Sequence, residues 1–112
     1  MEYGYVRASK NAVHRELAEQ RQSDLLLELG AEKIIVETDG SQLPDLLLQL
    51  KSGDAVHVVS IDRLTRSARR LSDILGIFRK QNVTLYEAGQ KINLESMMLF
   101  SEAFLEMKKV FK

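Results

Sequence analysis

The chain has 112 residues, of which 45% are hydrophobic and 29% are charged, a balance typical of one globular domain. The 16 basic and 16 acidic residues give a formal net charge of zero, which argues against strong autonomous DNA binding but allows a local basic site. The absence of cysteine excludes disulfides and thiolate metal sites, and no apolar run is long enough to span a bilayer. With no signal-peptide pattern at the N-terminus, we expect a cytoplasmic protein.

Predicted strands alternate with predicted helices along the chain. We expect strands at Tyr3–Ala8, Lys33–Glu37, Ala55–Val59 and Val83–Glu87, and helices at Asn11–Leu29, Asp45–Lys51, Ser67–Lys80 and Leu94–Phe111. Asn11 and Pro44 suit the starts of the first two helices, and Gly30, Gly53 and Asn82 follow the first three. Short apolar strands between helices predict an α/β domain with a mainly parallel sheet of about four to five strands flanked by helices.

Polar side chains gather where the predicted strands end. Tyr5, Arg7 and Ser9 share one face of the first strand because side chains alternate along a strand. Asp39 comes soon after the second strand, and Asp62 directly follows the third. Since ligands of parallel α/β sheets bind outside the carboxyl ends of the strands, we expect a functional site there.

The segment Ile61-Asp-Arg-Leu-Thr-Arg66 places an acid beside two arginines. Guanidinium groups match the geometry of phosphate oxygens, so a serine near several arginines and without a histidine base favours phosphoryl chemistry over acyl transfer. The isolated His14 and His57 do not form a metal-ligand set, and we expect neither a metal nor a cofactor. The competing interpretation is that Ser9 caps a helix and the arginines form surface ion pairs.

The two motifs together resemble the catalytic domain of the resolvase/invertase family of serine site-specific recombinases. Tyr-x-Arg-x-Ser at residues 5–9 precedes Asp-Arg-Leu-x-Arg at residues 62–66, each after a predicted strand, and the resemblance extends from Tyr3 to about Glu106. It implies a resolvase-like α/β core at residues 1–93 and the start of a long interface helix at residues 94–112. The helix-turn-helix domain of the family has no counterpart in these residues.

The resemblance implies a role for each site residue. Ser9 would attack a DNA phosphodiester and form a 5′-phosphoserine link. Arg7, Arg63 and Arg66 would hold the phosphate, and Asp62 would organise the site. The next two arginines, Arg69 and Arg70, are expected on a helix, either solvated or in contact with the DNA backbone.

The predicted last helix has apolar residues on more than one face, which suggests a second packing partner besides the domain core. In the resembling family this helix forms the dimer interface, so we expect a homodimer. The expected interface residues are Met97, Met98, Ser101, Phe104 and Leu105. The alternative is a helix that is buried within the monomer.

Two departures from the family pattern lower the expected activity. Active members carry an arginine in a long loop after the second strand, whereas this chain has no arginine between Arg21 and Arg63. The family also has a Glu-Arg pair in the last helix, where this chain keeps Glu106 but has Met107 in place of the arginine. A catalytically degenerate dimerisation module is therefore the main alternative. A receiver-like regulator is a third, but the first strand lacks the paired acids of a phospho-acceptor pocket.

Overall fold

The computed structural model describes residues 1–8 and 13–99. It contains the strands β1 (Glu2–Val6), β2 (Lys33–Val36), β3 (Ala55–Val58), β4 (Thr84–Glu87) and β5 (Gln90–Lys91). They form one sheet in the order β2-β1-β3-β4-β5, in which the first four strands are parallel and β5 is antiparallel to β4. The predicted α/β class and mainly parallel sheet are confirmed.

Three α-helices connect the parallel strands: α1 (Arg15–Glu28), α2 (Gln42–Gln49) and α3 (Ala68–Gln81). A short 3-10 turn, Ile61–Arg63, lies between β3 and α3. Residues 94–99 are helical and correspond to the first part of the fourth predicted helix, whose remaining residues lie outside the described chain. No helix within the described residues is long and apolar enough to cross a membrane.

The sheet is covered on both faces because its side chains alternate between two apolar clusters. Tyr5 points into the main core, which also includes Leu46 of α2 and Phe78 of α3. Val6 points to the other face and packs with Leu26 of α1. Packing against these helices holds the strands in place, and with them the carboxyl ends at which the polar residues lie.

The structure corrects two predicted helix starts. The helix α1 begins at Arg15, since residues 13–14 form a turn and Val13 is 90% exposed, while the expected start at Asn11 lies outside the described residues. The helix α2 begins at Gln42 rather than Asp45 because the Glu37 carboxylate accepts backbone N–H groups at its start. Such groups have no partner within a helix.

Helix and hairpin ends depend on residues with positive φ. Asn82 ends α3 in the left-handed conformation with φ 58°, as predicted. Gly53 (φ 91°) instead lies in the turn before β3, because α2 has already ended at Leu50. The short strand β5 was not predicted, and Ala88 and Gly89 form the two-residue turn that precedes it, both with positive φ.

Candidate functional site

The carboxyl ends of the four parallel strands bring polar residues to one edge of the sheet. Arg7 follows β1, Glu37 follows β2, Ser60 comes soon after β3, and Glu87 is the last residue of β4. We call this region the carboxyl edge. Ser9 also follows β1 in the sequence but lies outside the described residues.

A buried hydrogen bond joins the ends of β1 and β2. The Tyr5 hydroxyl donates to the Glu37 carboxylate over 2.8 Å, and the two side chains belong to residues that are only 1% and 3% exposed. The same carboxylate accepts backbone N–H groups over 2.9 to 3.2 Å, from Thr38, Gly40, Gln42 and Leu43. One carboxylate therefore fixes the loop after β2 and the start of α2.

The protonation states of this pair are set by its surroundings. Burial raises the pKa of Tyr5 above its ordinary value of 10.0, and the hydrogen bond to Glu37 raises it further. Burial also acts to raise the pKa of Glu37, but the hydrogen bonds from Tyr5 and from the backbone outweigh it, and that pKa lies below 4.5. At neutral pH the pair is a neutral phenol and a charged carboxylate.

Asp62 lies in the 3-10 turn after β3, between Ser60 and the arginines of the second motif. The Ser60 hydroxyl donates a hydrogen bond to its carboxylate and is the main cause of the lowered pKa of Asp62. Burial opposes this effect, and the positive charges of Arg63 and Arg66 reinforce it. The predicted acid and its two arginines therefore lie close together, as a charged group at the carboxyl edge.

Glu87 holds this turn from the neighbouring strand. Its carboxylate accepts the backbone N–H of Ile61 over 2.7 Å, which ties the first residue of the turn to the end of β4. Within the described chain, the buried Nε of Arg63 has no hydrogen-bond partner. A buried donor without a partner is costly, so it marks a position where an anionic ligand oxygen would be stabilised.

Comparison with known proteins decides the family. A family model described as "Resolvase, N terminal domain" matches residues 2–112. The chain belongs to the resolvase N-terminal domain family. This match confirms the family resemblance that the two sequence motifs indicated.

Two named relatives agree with this assignment. The transposon Tn917 resolvase of Enterococcus faecalis is 26% identical over 104 residues, covering 88% of this chain and 54% of the relative. The serine recombinase gin of Escherichia phage Mu is 31% identical over 101 residues, covering 85% and 50%. The chain thus spans about half the length of these curated relatives.

A solved structure supports the fold. The N-terminal catalytic domain of TP901-1 integrase matches with a TM-score of 0.65 and 16% sequence identity, over 99% of this chain and 98% of that one. This confirms that the α/β core has the resolvase-like fold. The expected C-terminal dimerisation helix lies mostly outside the described residues.

The resolvase-type motifs did not single out every polar residue of the carboxyl edge. Glu37, Ser60 and Glu87 were missed, although each lies at the end of a predicted strand. The signal for Glu37 was available, because it is an acid at the end of an apolar strand. Ser60 and Glu87 could not be recognised without the contacts that they make with Asp62 and Ile61.

The expected interface residues are described only in part. Met97 and Met98 are half-buried and pack against the main core of their own domain. A Cβ added to Gly76 of α3 would lie 3.9 Å from Cε of Met98. Leu99, by contrast, is 67% exposed. Ser101, Phe104 and Leu105 lie outside the described residues.

Proposed function

We propose that this chain is the catalytic domain of a serine site-specific recombinase, which cleaves and rejoins DNA through a 5′-phosphoserine intermediate. The family assignment supports the class of reaction. The observation that carries the proposal is the buried Nε of Arg63, which has no partner within the described residues, beside the Asp62 carboxylate. A phosphate oxygen would supply the missing acceptor.

In the proposed reaction the Ser9 hydroxyl oxygen attacks the phosphorus of a DNA phosphodiester. A bond forms between that oxygen and phosphorus, the bond from phosphorus to the 3′ oxygen breaks, and the leaving oxygen takes up a proton. Arg7, Arg63 and Arg66 stabilise the negative charge on the non-bridging oxygens. Rejoining is the reverse attack by a 3′-hydroxyl, which restores Ser9 and conserves the number of phosphodiester bonds.

Asp62 acts in this scheme as a charged organiser of the arginines. Its lowered pKa keeps the carboxylate ionised at neutral pH, and the Ser60 hydroxyl holds it from one side. Glu87 positions the same turn through Ile61. Guanidinium groups held near the phosphate in this way would reduce the reorganisation needed during the reaction.

The proposed partners are DNA and a second copy of the chain. DNA binding by this domain alone is expected to be weak, because the net charge is zero and phosphate neutralisation supplies much of the affinity for DNA. Arg69 and Arg70 extend the cationic surface along α3. The helix that starts at residue 94 is the proposed dimer contact.

The experiment is a covalent-trapping assay. The chain is incubated with nicked suicide duplexes that include DNA flanking its own gene, and the products are separated under denaturing conditions. The proposal expects an adduct that disappears in Ser9→Ala and persists in Ser41→Ala, a matched change at an exposed serine of the loop after β2. Equal adduct in wild type and Ser9→Ala would reject it.

A degenerate dimerisation module is the second candidate. It is favoured by Met107, at the position where the family pattern has an arginine, and by the lack of arginine between Arg21 and Arg63. Loss of one phosphate-binding donor commonly costs about a hundredfold or more in rate. Appreciable adduct formation by the unmodified chain would exclude this candidate.

A further inference from the structure

The loop after β2 brings no positive charge to the carboxyl edge. Residues 37–41 read Glu-Thr-Asp-Gly-Ser, and their backbone is held by the Glu37 carboxylate. The Arg7 side of the edge therefore depends on other elements for cations. The nearest helical element after the Asp62 turn is α3, whose first turn carries two consecutive arginines.

These two arginines lie on different faces of α3. Arg70 is one and two turns before Ile74 and Phe78, which are 3% and 0% exposed, so it lies at the flank of the stripe that faces the sheet. Arg69 lies one and two turns before Asp73 and Ile77, which are both exposed. Both side chains are exposed, and Arg70 lies nearer than Arg69 to the core-facing side of the helix.

The course of α3 then places Arg70 above the carboxyl edge. The helix starts soon after the turn that leaves β3, so its N-terminus lies at the end of the sheet where Arg7 and Glu37 lie. Ser67 caps the helix by accepting the Arg70 backbone N–H over 3.3 Å. Leu71, the next residue, packs against the core cluster that contains Tyr5.

Electrostatics at Tyr5 agrees with this geometry. Burial is the largest cause of the raised pKa of Tyr5, followed by the hydrogen bond to Glu37. The positive charges of Arg7 and Arg70 both act in the opposite direction on the same hydroxyl. Because screened charges act over short distances, both guanidinium groups lie near the Tyr5 hydroxyl.

We infer that Arg70 and Arg7 form the two walls of one phosphate-binding pocket, with Arg70 contributed by α3 and Arg7 by the residues that follow β1. The inference rests on the proposed function for the identity of its ligand, a phosphodiester of the DNA backbone. Arg70 binds a non-bridging oxygen of that phosphate, whereas Arg69 is a peripheral cation. The two arginines, expected above to behave alike, are thereby assigned different roles.

The chain offers a matched pair of variants to test this assignment. Arg70→Ala and Arg69→Ala remove the same charge from adjacent residues of one helical turn. With saturating DNA in single-turnover trapping, Arg70→Ala is expected to slow adduct formation by about 100-fold, with partial rescue by added guanidinium ion. Arg69→Ala is expected to weaken DNA binding and lower its salt dependence, with a loss of saturated rate at least about tenfold smaller than that of Arg70→Ala. Equal saturated rates in the two variants would overturn the assignment.

A second measurement does not depend on cleavage. Inorganic phosphate is titrated into the wild-type chain while the side-chain Nε–H signals of the arginines are followed by NMR. The assignment expects the Arg7 and Arg70 signals to move together with one dissociation constant, and the Arg69 signal to stay in place. Movement of Arg7 without Arg70 would overturn it. If phosphate binds both but no DNA adduct forms, the pocket stands and the recombinase proposal fails.

Discussion

The Tyr5 hydroxyl donates a 2.8 Å hydrogen bond to the Glu37 carboxylate and so joins the ends of two neighbouring parallel strands. Tyr5 is two residues before Arg7 along the first strand. Glu37 in turn holds the loop after β2 through backbone N–H groups. This pair is therefore the structural base on which the Arg7 side of the candidate site rests.

Removing the Tyr5 hydroxyl is expected to lower the free energy of unfolding. Tyr5→Phe leaves a buried, charged Glu37 with one donor fewer, so the free energy of unfolding should fall by about 2 kcal/mol at neutral pH. Urea denaturation measures this change. Tyr3→Phe is the control, since Tyr3 lies on the same strand and face and is also buried. Equal losses in the two variants would contradict the role of the Tyr5–Glu37 bond.

The same pair predicts how stability depends on pH. The pKa of Glu37 in the folded chain lies below its ordinary 4.5, so its contribution is present above pH 4.5 and is lost as the pH falls through the lowered value. The pKa of Tyr5 is raised above 10.0, so its contribution is complete below pH 10.0 and is lost as the pH rises through the raised value. Urea denaturation of the wild type at acidic, neutral and alkaline pH should show that the free energy of unfolding decreases toward both extremes.

Glu37→Gln should reduce the loss of the free energy of unfolding at acidic pH. The glutamine keeps one acceptor but cannot take up a proton in this range, so the variant is less stable near neutrality and loses less on acidification. Some acid dependence should remain, because Asp54 and Asp62 also have lowered pKa values. If Glu37→Gln loses as much stability at acidic pH as the wild type does, Glu37 is not the cause of this pH dependence.

Glu87 is expected to act on the site through Ile61. Glu87→Ala removes the acceptor of the Ile61 N–H, so this amide should exchange faster and the Asp62 turn should lose its fixed position. Misplacement of this kind should slow DNA cleavage by about 10- to 100-fold. Glu87→Gln, which retains an oxygen acceptor, should restore both the amide protection and most of the rate. Unchanged exchange at Ile61 in Glu87→Ala would refute this coupling.

The proposed dimer contact can be separated from the domain core. Leu99→Glu changes an exposed side chain, so the melting temperature should hold while the monomer fraction in sedimentation rises. Met98→Glu inserts a charge against α3 and should lower the melting temperature by several degrees. Phe104→Glu should also raise the monomer fraction. A wild-type chain that is monomeric at high concentration would contradict the proposed dimer contact.

The sequence predicted the elements that local patterns determine. Apolar runs such as Ile34–Val36 and Val56–Val59 indicated the parallel strands, and Asn82 indicated the end of α3. The start of α2 was missed because its cap is the side chain of Glu37, a residue of the preceding strand end. The two-residue strand β5 carries no periodic signal at all.

For the candidate site too, the sequence indicated local features but not the contacts between elements. Arg7, Asp62 and the arginines of the second motif were expected at the site from their positions after predicted strands and from the family resemblance, and both of these signals are local features of the sequence. The supporting residues Ser60 and Glu87 act through contacts between elements, which a single sequence does not reveal. Ser9, the residue on which the proposed chemistry depends, lies outside the described chain.

The most direct test is therefore to locate the covalent bond itself. The trapped adduct is digested with protease and nuclease, and the nucleotide-bearing peptide is sequenced by tandem mass spectrometry. We expect a 5′-phosphate ester on Ser9, released together with a DNA strand that ends in a free 3′-hydroxyl. An adduct on any other residue, such as Tyr5 or Ser60, or a DNA strand that ends in a 3′-phosphate, would contradict it.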